Sequence, residues 1–520
     1  MKLIEKLLNP DFYPHPVEEI QLLETHISWV ILTGNYVYKL KKPVNFGFLD
    51  FSTLSKRKHY CSEELRLNKR LAPQIYLQTV SINGTEDHPQ LDGPGPAIEY
   101  AVKMRQFRQQ DQFDRLLTNQ QLYRQDIIEL AQIIAQFHQF TEQTALTSAF
   151  GDAAHIHIPV TENFSQIDAL LENETDHSLL SDIASWSQRE FERLQSNFAQ
   201  RKQLGFVREC HGDMHLRNIA KFHDAIVIFD CIEFNDNLRW IDVISEIAFI
   251  EMDLHDRGRR DFANVLLNTY LQNTGDYAAM VLLRFYLVYR AMVRAKVDCI
   301  RAHQEDIDPD EQRQTVKEFR HYLNLAQQYT KPAAPYLIIT CGLSGCGKTY
   351  ITDQLMDYLP FIRLRSDVER KRLFGLASAE SSKSAVGRGI YTAEASQRTY
   401  AKLADLCRTV LNAEWSVLVD AAFLKQEQRQ QFRNIAAELH VPFLILHFTA
   451  PQAVLIQRLD QRQRQRKDAS EADRQVLTTQ IKHQQPPSSD EQAHTTEIDS
   501  SGTIDFSALA QDIQTRLGTA

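Results

Sequence analysis

YLIITCGLSGCGKTYITDQL, residues 336–355, decides the fold of the C-terminal part of the chain. An apolar run leads into Gly342–Thr349, which fits the pattern of Gly, four residues and Gly-Lys-Thr, and a helical pattern follows. Glycines let backbone amides turn inward around a phosphate, and the N-terminus of the next helix adds its positive dipole. The alternative is a glycine-rich turn that ends in Lys-Thr by chance, and the strand and helix on either side argue against it.

This loop predicts a nucleotide site with ATP and Mg²⁺ as cofactors. Lys348 is expected to lie against the β- and γ-phosphates, and the Thr349 hydroxyl is expected to bind Mg²⁺. The predicted nucleotide-binding residues are Gly342, Leu343, Ser344, Gly345, Cys346, Gly347, Lys348, Thr349 and Tyr350.

The segments after the loop alternate between short apolar runs and helical patterns. The runs are FIRLRSD, WSVLVDAAF and VPFLILHFTA. Alternating β and α segments predict an α/β domain with a doubly wound parallel sheet. Asp420 ends one of these strands, where a carboxylate is well placed for Mg²⁺ or its water shell. An ordinary aspartate at a strand end is the alternative for Asp420.

Four further polar residues are candidates for the chemistry of this domain. Open α/β sheets bind ligands at the carboxyl ends of their strands. Asp367 lies just past such a strand and is expected to accept the proton of a substrate hydroxyl, while Arg370 holds an anion. Arg458 and Arg462 lie one helical turn apart and are expected to neutralise a transferring phosphate from a lid. A charged turn and a solvated helix face are the respective alternatives.

Residues 336–515 resemble the P-loop kinases that include polynucleotide 5′-hydroxyl kinases, zeta-toxin-like kinases and gluconate-type kinases. The resemblance rests on the Gly-Lys-Thr loop, the Asp-x-x-Arg pair and the arginine-rich segment. It implies that Asp367 is the base, Arg370 a substrate clamp, and Arg458 or Arg462 the lid arginine.

HGDMHLRN, residues 211–218, indicates a second phosphate-handling site. Phosphoryl transfer to a hydroxyl needs a carboxylate beside the nucleophile and ligands for Mg²⁺. Asp213 fits the first role, and Asn218 and Asp230, the latter at the end of the next apolar run, fit the second. His211 and His215 are expected to orient the loop rather than to bind a metal ion.

This spacing resembles the aminoglycoside phosphotransferase-like family, whose loop reads H-G-D-x-H-x-x-N. The resemblance implies an α+β, protein-kinase-like domain of two lobes. It also implies a strand lysine that holds the α- and β-phosphates, for which Lys39 is preferred over Lys41, and a helix glutamate that pairs with it, for which Glu64 is preferred over Glu63. A solvated lysine and glutamate are the alternatives. Here Asp230 is followed by Cys-Ile instead of the usual Phe-Gly.

Length and composition indicate a protein of more than one domain. The chain has 520 residues, and a Pro/Ala break, QQYTKPAAPYL, separates a kinase-like domain at 1–330 from a P-loop domain at 336–520. Seven scattered cysteines without a C-x-x-C pair suit a reducing cytosol. The N-terminus lacks a signal-peptide pattern and no apolar run is long enough to span a bilayer, so a cytoplasmic protein without a membrane partner is expected.

The whole chain resembles a bacterial fusion of an aminoglycoside-phosphotransferase-like domain with a P-loop kinase domain. We expect two Mg·ATP-dependent sites that each transfer a phosphoryl group to a hydroxyl of a small molecule. One alternative is a C-terminal polynucleotide 5′-hydroxyl kinase, which the net charge of −9 does not favour. The other is an N-terminal sensor of a nucleotide or metabolite coupled to a P-loop switch. The oligomeric state is left open.

Overall fold

The computed structural model describes residues 2–47, 49–304, 307–377, 380, 389–465 and 472–518. The chain divides into two compact units, which we call the N-terminal unit (1–253 and 289–323) and the C-terminal unit (254–288 and 324–520). This division differs from the single predicted boundary between 330 and 336. Residues 254–288 precede the Pro/Ala break in the chain but pack with the P-loop domain.

The first half of the chain begins with strands and continues mostly as helices. Its strands and helices are, in chain order, α1 (Lys2–Leu7), β1 (Gln21–Glu24), β2 (Ser28–Leu32), β3 (Tyr36–Lys41), α2 (Leu54–Asn68), β4 (Tyr76–Gly84), β5 (Pro89–Leu91), β6 (Ala97–Arg105), α3 (Phe113–Thr118), α4 (Arg124–Phe140), α5 (Ala153–Asp168), α6 (Glu174–Gln203), β7 (Val207–Glu209), β8 (Ile219–Phe222), β9 (Ala225–Ile228), α7 (Asp236–Arg239), β10 (Trp240–Asp242) and α8 (Val243–Asp256).

The N-terminal unit starts with an antiparallel sheet in the order β1-β2-β3-β6-β4-β5. Gly34 joins β2 to β3 with a φ of +89°, which favours glycine, and the Thr33 N–H donates to the Tyr36 carbonyl, so the predicted hairpin is confirmed. Val37 and Val102 on one face pack with Cys61 of α2 in a buried apolar cluster. Helix α2 therefore lies on the sheet.

The helical part of the N-terminal unit contains two short antiparallel strand pairs. β7 pairs with β10, and β8 pairs with β9 as a hairpin. The loop at 211–218 lies between β7 and β8, and Asp230 follows β9. The predicted two-lobed, protein-kinase-like architecture is confirmed by this order: a β-sheet with one helix, then a helical lobe that carries the loop and the hairpin.

The second half of the chain alternates between helices and parallel strands. The elements are α9 (Arg260–Thr274), α10 (Met280–Ala302), α11 (Pro309–Tyr329), β11 (Leu337–Cys341), α12 (Lys348–Leu355), β12 (Ile362–Arg365), α13 (Ser366–Leu373), α14 (Ala393–Asn412), β13 (Val417–Asp420), α15 (Gln426–Glu438), β14 (Phe443–Thr449), α16 (Gln452–Gln465), α17 (Arg474–His483), β15 (Thr495–Asp499) and α18 (Phe506–Leu517).

The C-terminal unit has a five-stranded parallel sheet in the order β12-β13-β11-β14-β15. β11 is central and fully buried, as its continuous apolar run predicts for a strand covered on both faces. The predicted parallel sheet is confirmed. Its carboxyl ends bring together the loop after β11, the start of α13 and Asp420, so the candidate residues share one edge.

Two asparagines of α9 contact the edge of this sheet at β12. Asn268 accepts a hydrogen bond from the Arg363 N–H at 2.6 Å and donates to the Phe361 carbonyl at 2.8 Å. Asn264 donates to the Met356 and Leu359 carbonyls. The Asn268 amide thus satisfies main-chain groups at the edge strand, and the Asn264 amide satisfies carbonyls of the connection that leads into it, so both join residues 254–288 to the C-terminal unit.

No helix in the described part of the chain combines the length and the apolar content needed to cross a membrane.

Candidate active sites

The glycines of the predicted phosphate loop are required by its shape. Gly342, Gly345 and Gly347 have φ angles of +149°, +87° and +82°. A Cβ on Gly342 would lie 2.6 Å from the Phe448 carbonyl oxygen, and one on Gly345 would lie 2.9 Å from the Leu455 carbonyl oxygen. Larger side chains would therefore push the loop away from the strand and helix that support it.

The polar groups of this loop face partners within the C-terminal unit. The Lys348 ammonium donates to the Gly342 and Leu343 carbonyls, each at 2.9 Å. The Ser344 N–H donates to Oε1 of Gln480, a residue of α17, at 2.8 Å. α12 begins at Lys348, directly after the loop, as the motif requires.

A cavity of about 1350 Å³ opens beside the loop. It is lined by eleven of the predicted residues: Ser344, Gly345, Gly347, Lys348, Thr349, Tyr350, Asp367, Arg370, Asp420, Arg458 and Arg462. Gly342, Leu343 and Cys346 belong to the loop but not to this lining. The structure therefore brings the predicted base, clamp, lid arginines and nucleotide loop around one space.

Asp420 is suited to hold a metal ion or its water shell. It is buried at the end of β13, its Oδ2 accepts no hydrogen bond from the described residues, and that oxygen lies 3.9 Å from Arg365 Nε. A buried carboxylate oxygen without a donor is costly unless a cation or water satisfies it. Because Mg²⁺ prefers oxygen ligands, Asp420 and the Thr349 hydroxyl fit that ion.

Asp367 and Arg370 lie on α13, at the carboxyl end of β12. Arg370 is buried, and its Nη1 donates to the Ile390 carbonyl at 3.1 Å and the Ser396 hydroxyl at 3.2 Å, both neutral acceptors. Its Nε has no hydrogen-bond partner among the described residues. A charged turn in solvent, the alternative interpretation, does not describe this arginine.

Helix α13 is also held from its other side by the segment that precedes the Pro/Ala break. The Tyr277 hydroxyl donates to Glu369 Oε1 at 3.3 Å, and Arg372 donates to the Gln272 carbonyl at 2.5 Å and pairs with Glu369. Sequence reasoning missed Tyr277, because a lone tyrosine some 90 positions upstream carries no local signal.

The two arginines predicted to act from a lid contact main-chain groups. Arg458 donates to the Ser500 carbonyl at 2.6 Å and to the Gly345 carbonyl at 3.4 Å. Arg462 donates to the Ala472 carbonyl at 2.7 Å. Arg458 is thus fixed against the phosphate loop, and Arg462 is fixed against the start of α17.

In the N-terminal unit, Lys39 of β3 lies at the centre of a charge cluster. Its Nζ is 2.9 Å from Glu64 Oε1 and 2.5 Å from Asp230 Oδ1. Lys41 Nζ lies 2.8 Å from Glu64 Oε2 and also pairs with Glu233. One glutamate of α2 therefore contacts two lysines that lie two positions apart, on the same face of β3.

The contacts distinguish the preferred residues from their competitors. The side chain of Lys41 is 1% exposed and is enclosed by two glutamates, whereas Lys39 is 14% exposed and contacts Asp230. Glu63 instead pairs with Arg66 at 2.8 Å. The geometry therefore favours Lys39 and Glu64, as the resemblance implies.

The charge cluster shifts the pKa of its members. Burial alone raises the pKa of Glu64, but Lys39 and Lys41 outweigh it and lower the pKa to about 2. Burial lowers the pKa of Lys39, but Asp230 and Glu64 raise it well above its usual value. The charged forms of Glu64 and Lys39 thus stabilise each other.

Asp213 and Asn218 lie together in the loop between β7 and β8. Asn218 donates from Nδ2 to Asp213 Oδ2 at 3.0 Å and to the Asp213 carbonyl at 2.9 Å. The Asp213 side chain is 37% exposed and lies 3.5 Å from His215 Nε2. Burial raises its pKa, but the charge and hydrogen bond of His215, with His211 and Arg294, hold that pKa well below its usual range. Asp213 is therefore an accessible, ionised carboxylate.

The back of this loop is held by Glu246 of α8. Its Oε1 accepts hydrogen bonds from the His211 N–H at 2.8 Å and the Gly212 N–H at 2.7 Å, and its Oε2 contacts His138 Nε2 at 2.8 Å. Arg290 donates to the Gly212 carbonyl at 3.1 Å. His138, Cys210 and Glu246 could group around a metal ion by distance, but these bonds assign Glu246 to support of the loop.

Asn218 and Asp230 offer oxygen atoms that suit Mg²⁺. The Asp230 side chain is 46% exposed, and its N–H donates to the Tyr76 hydroxyl. Asn218 uses its Nδ2 toward Asp213, and its Oδ1 accepts no hydrogen bond in the described part of the chain. Carboxylate and amide oxygens are the ligands that this ion takes from proteins, so both residues fit it.

Comparisons with known proteins give a family match for the C-terminal region and several similar proteins. Residues 337–487 match the family model AAA_33, an AAA domain. Uncharacterized proteins of Mycobacterium bovis and Mycobacterium tuberculosis are 27% identical to the chain over 452 residues, which are 86% of this chain and 87% of theirs.

Two solved kinases illustrate the structural similarities. A choline kinase from Cryptosporidium parvum is 12% identical, covers 62% of this chain and 91% of its own, and has a TM-score of 0.39. A sugar kinase from Janibacter sp. is 18% identical, covers 36% of this chain and 96% of its own, and has a TM-score of 0.29. The phosphate loop, the parallel sheet and the family match together show that the C-terminal domain is a P-loop domain of the AAA_33 kind. A domain of two-lobed, protein-kinase-like fold precedes it.

Proposed function

We propose that this chain is a bifunctional Mg·ATP-dependent phosphotransferase, with each unit transferring the γ-phosphoryl group to a hydroxyl of a small molecule. The observation that carries the proposal is the cavity of the C-terminal unit. Asp367 and Arg370 line the same space as Lys348 and Thr349. A carboxylate that accepts a proton and a nucleotide loop that presents a phosphoryl group are the two parts that such a transfer needs.

The N-terminal unit supports a second site of the same chemical kind. The ammonium of Lys39 contacts Asp230, and Asn218 contacts Asp213. A cation for the nucleotide phosphates, oxygen ligands for Mg²⁺ and an ionised carboxylate for the acceptor hydroxyl thus lie on one loop, one hairpin and one strand. All seven cysteines are free and buried, which supports activity in a reducing cytoplasm.

Among the described residues, no contact favours the two alternatives. A nucleic-acid end kinase needs basic side chains free to reach phosphates, but Arg458 and Arg462 each donate to main-chain carbonyls of their own unit. A sensor without catalysis needs no base, yet Asp213 is ionised and accessible.

The proposal is tested with the purified full-length protein, ATP labelled on the γ-phosphate, and a library of small hydroxyl compounds. We expect Asp367→Asn to remove one set of labelled products and Asp213→Asn to remove another. Asp405→Asn and Asp224→Asn, both exposed aspartates outside the sites, are the matched controls. Identical product patterns in all variants and the wild type would refute the proposal.

A further inference from the structure

Helix α17 lies against the phosphate loop and is anchored at both ends. At its start, Arg462 donates to the Ala472 carbonyl, and Arg474 forms an ion pair with Asp460. After its end, the Gln485 N–H donates to the Leu424 carbonyl at 2.8 Å, and the buried Arg429 donates to the Gln485 carbonyl at 2.8 Å. Both ends of α17 are therefore held by contacts within the C-terminal unit.

One side chain of α17, that of Gln480, contacts the phosphate loop. Gln480 Oε1 accepts the hydrogen bond of the Ser344 N–H at 2.8 Å, and both residues line the cavity. A main-chain N–H can only donate, so the amide oxygen and not the amide nitrogen must face it. The loop thus already holds a neutral oxygen acceptor, which the chain itself supplies.

An amide of this loop that is occupied by Gln480 is not available to a phosphate oxygen. Nucleotide binding therefore exchanges one acceptor for another at Ser344, and the net gain is smaller than for an open amide. The anchored ends of α17 keep the glutamine close to the loop, so the competition is intramolecular.

We propose that Gln480 is an internal competitor for phosphate and so sets the nucleotide affinity of the C-terminal site. This inference rests on the proposed function only in that the loop binds a nucleotide; it does not require that transfer occurs. Only one hydrogen bond of the loop is exchanged, so the residue tunes affinity rather than abolishing it.

The test measures affinity for ATP and for inorganic tripolyphosphate by calorimetry with the full-length protein. Gln480→Ala removes the competitor, and since one hydrogen bond contributes a net ~0.5–1.5 kcal/mol, we expect about 2- to 10-fold tighter binding of both probes. Gln480→Glu keeps the acceptor and adds a negative charge, so we expect affinity to fall about tenfold or more. Thr478→Ala is the control, because Thr478 is exposed on the same helix and its hydroxyl donates to the Arg474 carbonyl within that helix; it should change affinity less than twofold.

The outcomes separate the two proposals. Equal affinities of the wild type and Gln480→Ala would overturn the role of Gln480 and leave the phosphotransferase proposal standing. A gain for ATP without a gain for tripolyphosphate would also overturn it, because the effect would then act on the nucleoside. Binding by Gln480→Ala where the wild type binds neither probe would support the role, whereas absence of binding by both proteins would overturn the role and the nucleotide site together.

Discussion

Lys39 Nζ lies 2.5 Å from Asp230 Oδ1, although 191 positions separate the two residues in the chain. The lysine comes from the third strand of the sheet, and the aspartate follows the hairpin of the helical lobe. The same ammonium contacts Glu64 of α2, so a single cation joins three segments. The charge cluster of the N-terminal site therefore forms only when the chain folds, and removing the Lys39 ammonium is enough to disturb it.

Replacing Lys39 with methionine should remove nucleotide use by the N-terminal unit. The change deletes the charge that faces Asp230, and loss of one such group in an active site costs on the order of 100-fold in rate. The measurement is Asp213-dependent product formation from ATP. Lys42→Met is the control, because Lys42 lies just past the same strand and pairs with Glu24 outside the cluster. Equal losses in both variants would argue against the assignment.

Replacing Glu64 with glutamine should destabilise the N-terminal unit. Its side chain is fully buried, and the change leaves Lys39 and Lys41 with one fewer counter-charge, so we expect a loss of about 3 kcal/mol in the free energy of unfolding. Chemical denaturation provides the measurement. Glu63→Gln, at the neighbouring position, should cost less than about 1 kcal/mol because Glu63 pairs near the surface with the half-exposed Arg66.

The same carboxyl predicts an acid-dependent stability. The pKa of Glu64 falls from 4.5 to about 2 in the folded state, so its contribution is complete above about pH 4.5 and is lost as the pH falls toward 2. Wild-type stability should therefore decline across this window more steeply than that of Glu64→Gln. Parallel curves for the two proteins would mean that Glu64 is not ionised in the fold.

The activity of the N-terminal unit should be insensitive to mild acid. The pKa of Asp213 is held below its usual range, and a base with a lowered pKa stays ionised until the pH falls through that lowered value. We expect Asp213-dependent transfer, measured as kcat/KM against pH, to show no loss from this group between pH 7 and about pH 5. A decline centred in that interval would contradict the environment described for Asp213.

Mg²⁺ should strengthen ATP binding at the C-terminal site through Asp420. Removing the ion with a chelator should weaken binding by the wild type, and Asp420→Asn should reduce this dependence, because a neutral amide attracts the cation less than a carboxylate. Calorimetry with and without Mg²⁺ measures the difference. Asp405→Asn, exposed on α14, should keep the full dependence. If ATP binding by Asp420→Asn depended on Mg²⁺ as strongly as binding by the wild type, the ion would bind elsewhere.

Asn268→Ala should destabilise the C-terminal unit. The change leaves the Arg363 N–H and the Phe361 carbonyl without their partner at a buried sheet edge, which costs about 2–4 kcal/mol for the two groups. Asn273→Ala is the control on the same helix, because Asn273 donates only to the Thr269 carbonyl within that helix. Differential scanning calorimetry of both variants and the wild type provides the measurement.

Local patterns predict those parts of the sites that lie on a continuous segment. The Gly342–Thr349 loop, its strand and its helix follow from spacing alone, since a glycine at positive φ and a lysine at a helix start are local requirements. The loop at 211–218 was predicted for the same reason. Only the resemblance favoured Lys39 over Lys41 and Glu64 over Glu63. The periodicity of the strand and of the helix did not decide which lysine and which glutamate belong to the site.

Contacts between distant segments were not predictable from patterns. Gln480 contacts the phosphate loop from 136 positions away, Tyr277 contacts Glu369 of α13 from about 90 positions away, and neither belongs to a motif. The division into two compact units differs from the predicted boundary for the same reason. A Pro/Ala break marks where the chain is irregular, but hydrogen bonds of Asn264 and Asn268 decide with which unit a helix packs.

The order in which the chain is synthesised gives these asparagine contacts a further consequence. Asn268 leaves the ribosome 95 residues before Arg363, its partner. At roughly 5–20 residues per second, the helix must wait about 5–20 s for the strand that it covers. During this delay its amides face water or a chaperone, so slower translation lengthens the time for which this face of α9 is exposed before the C-terminal unit can form.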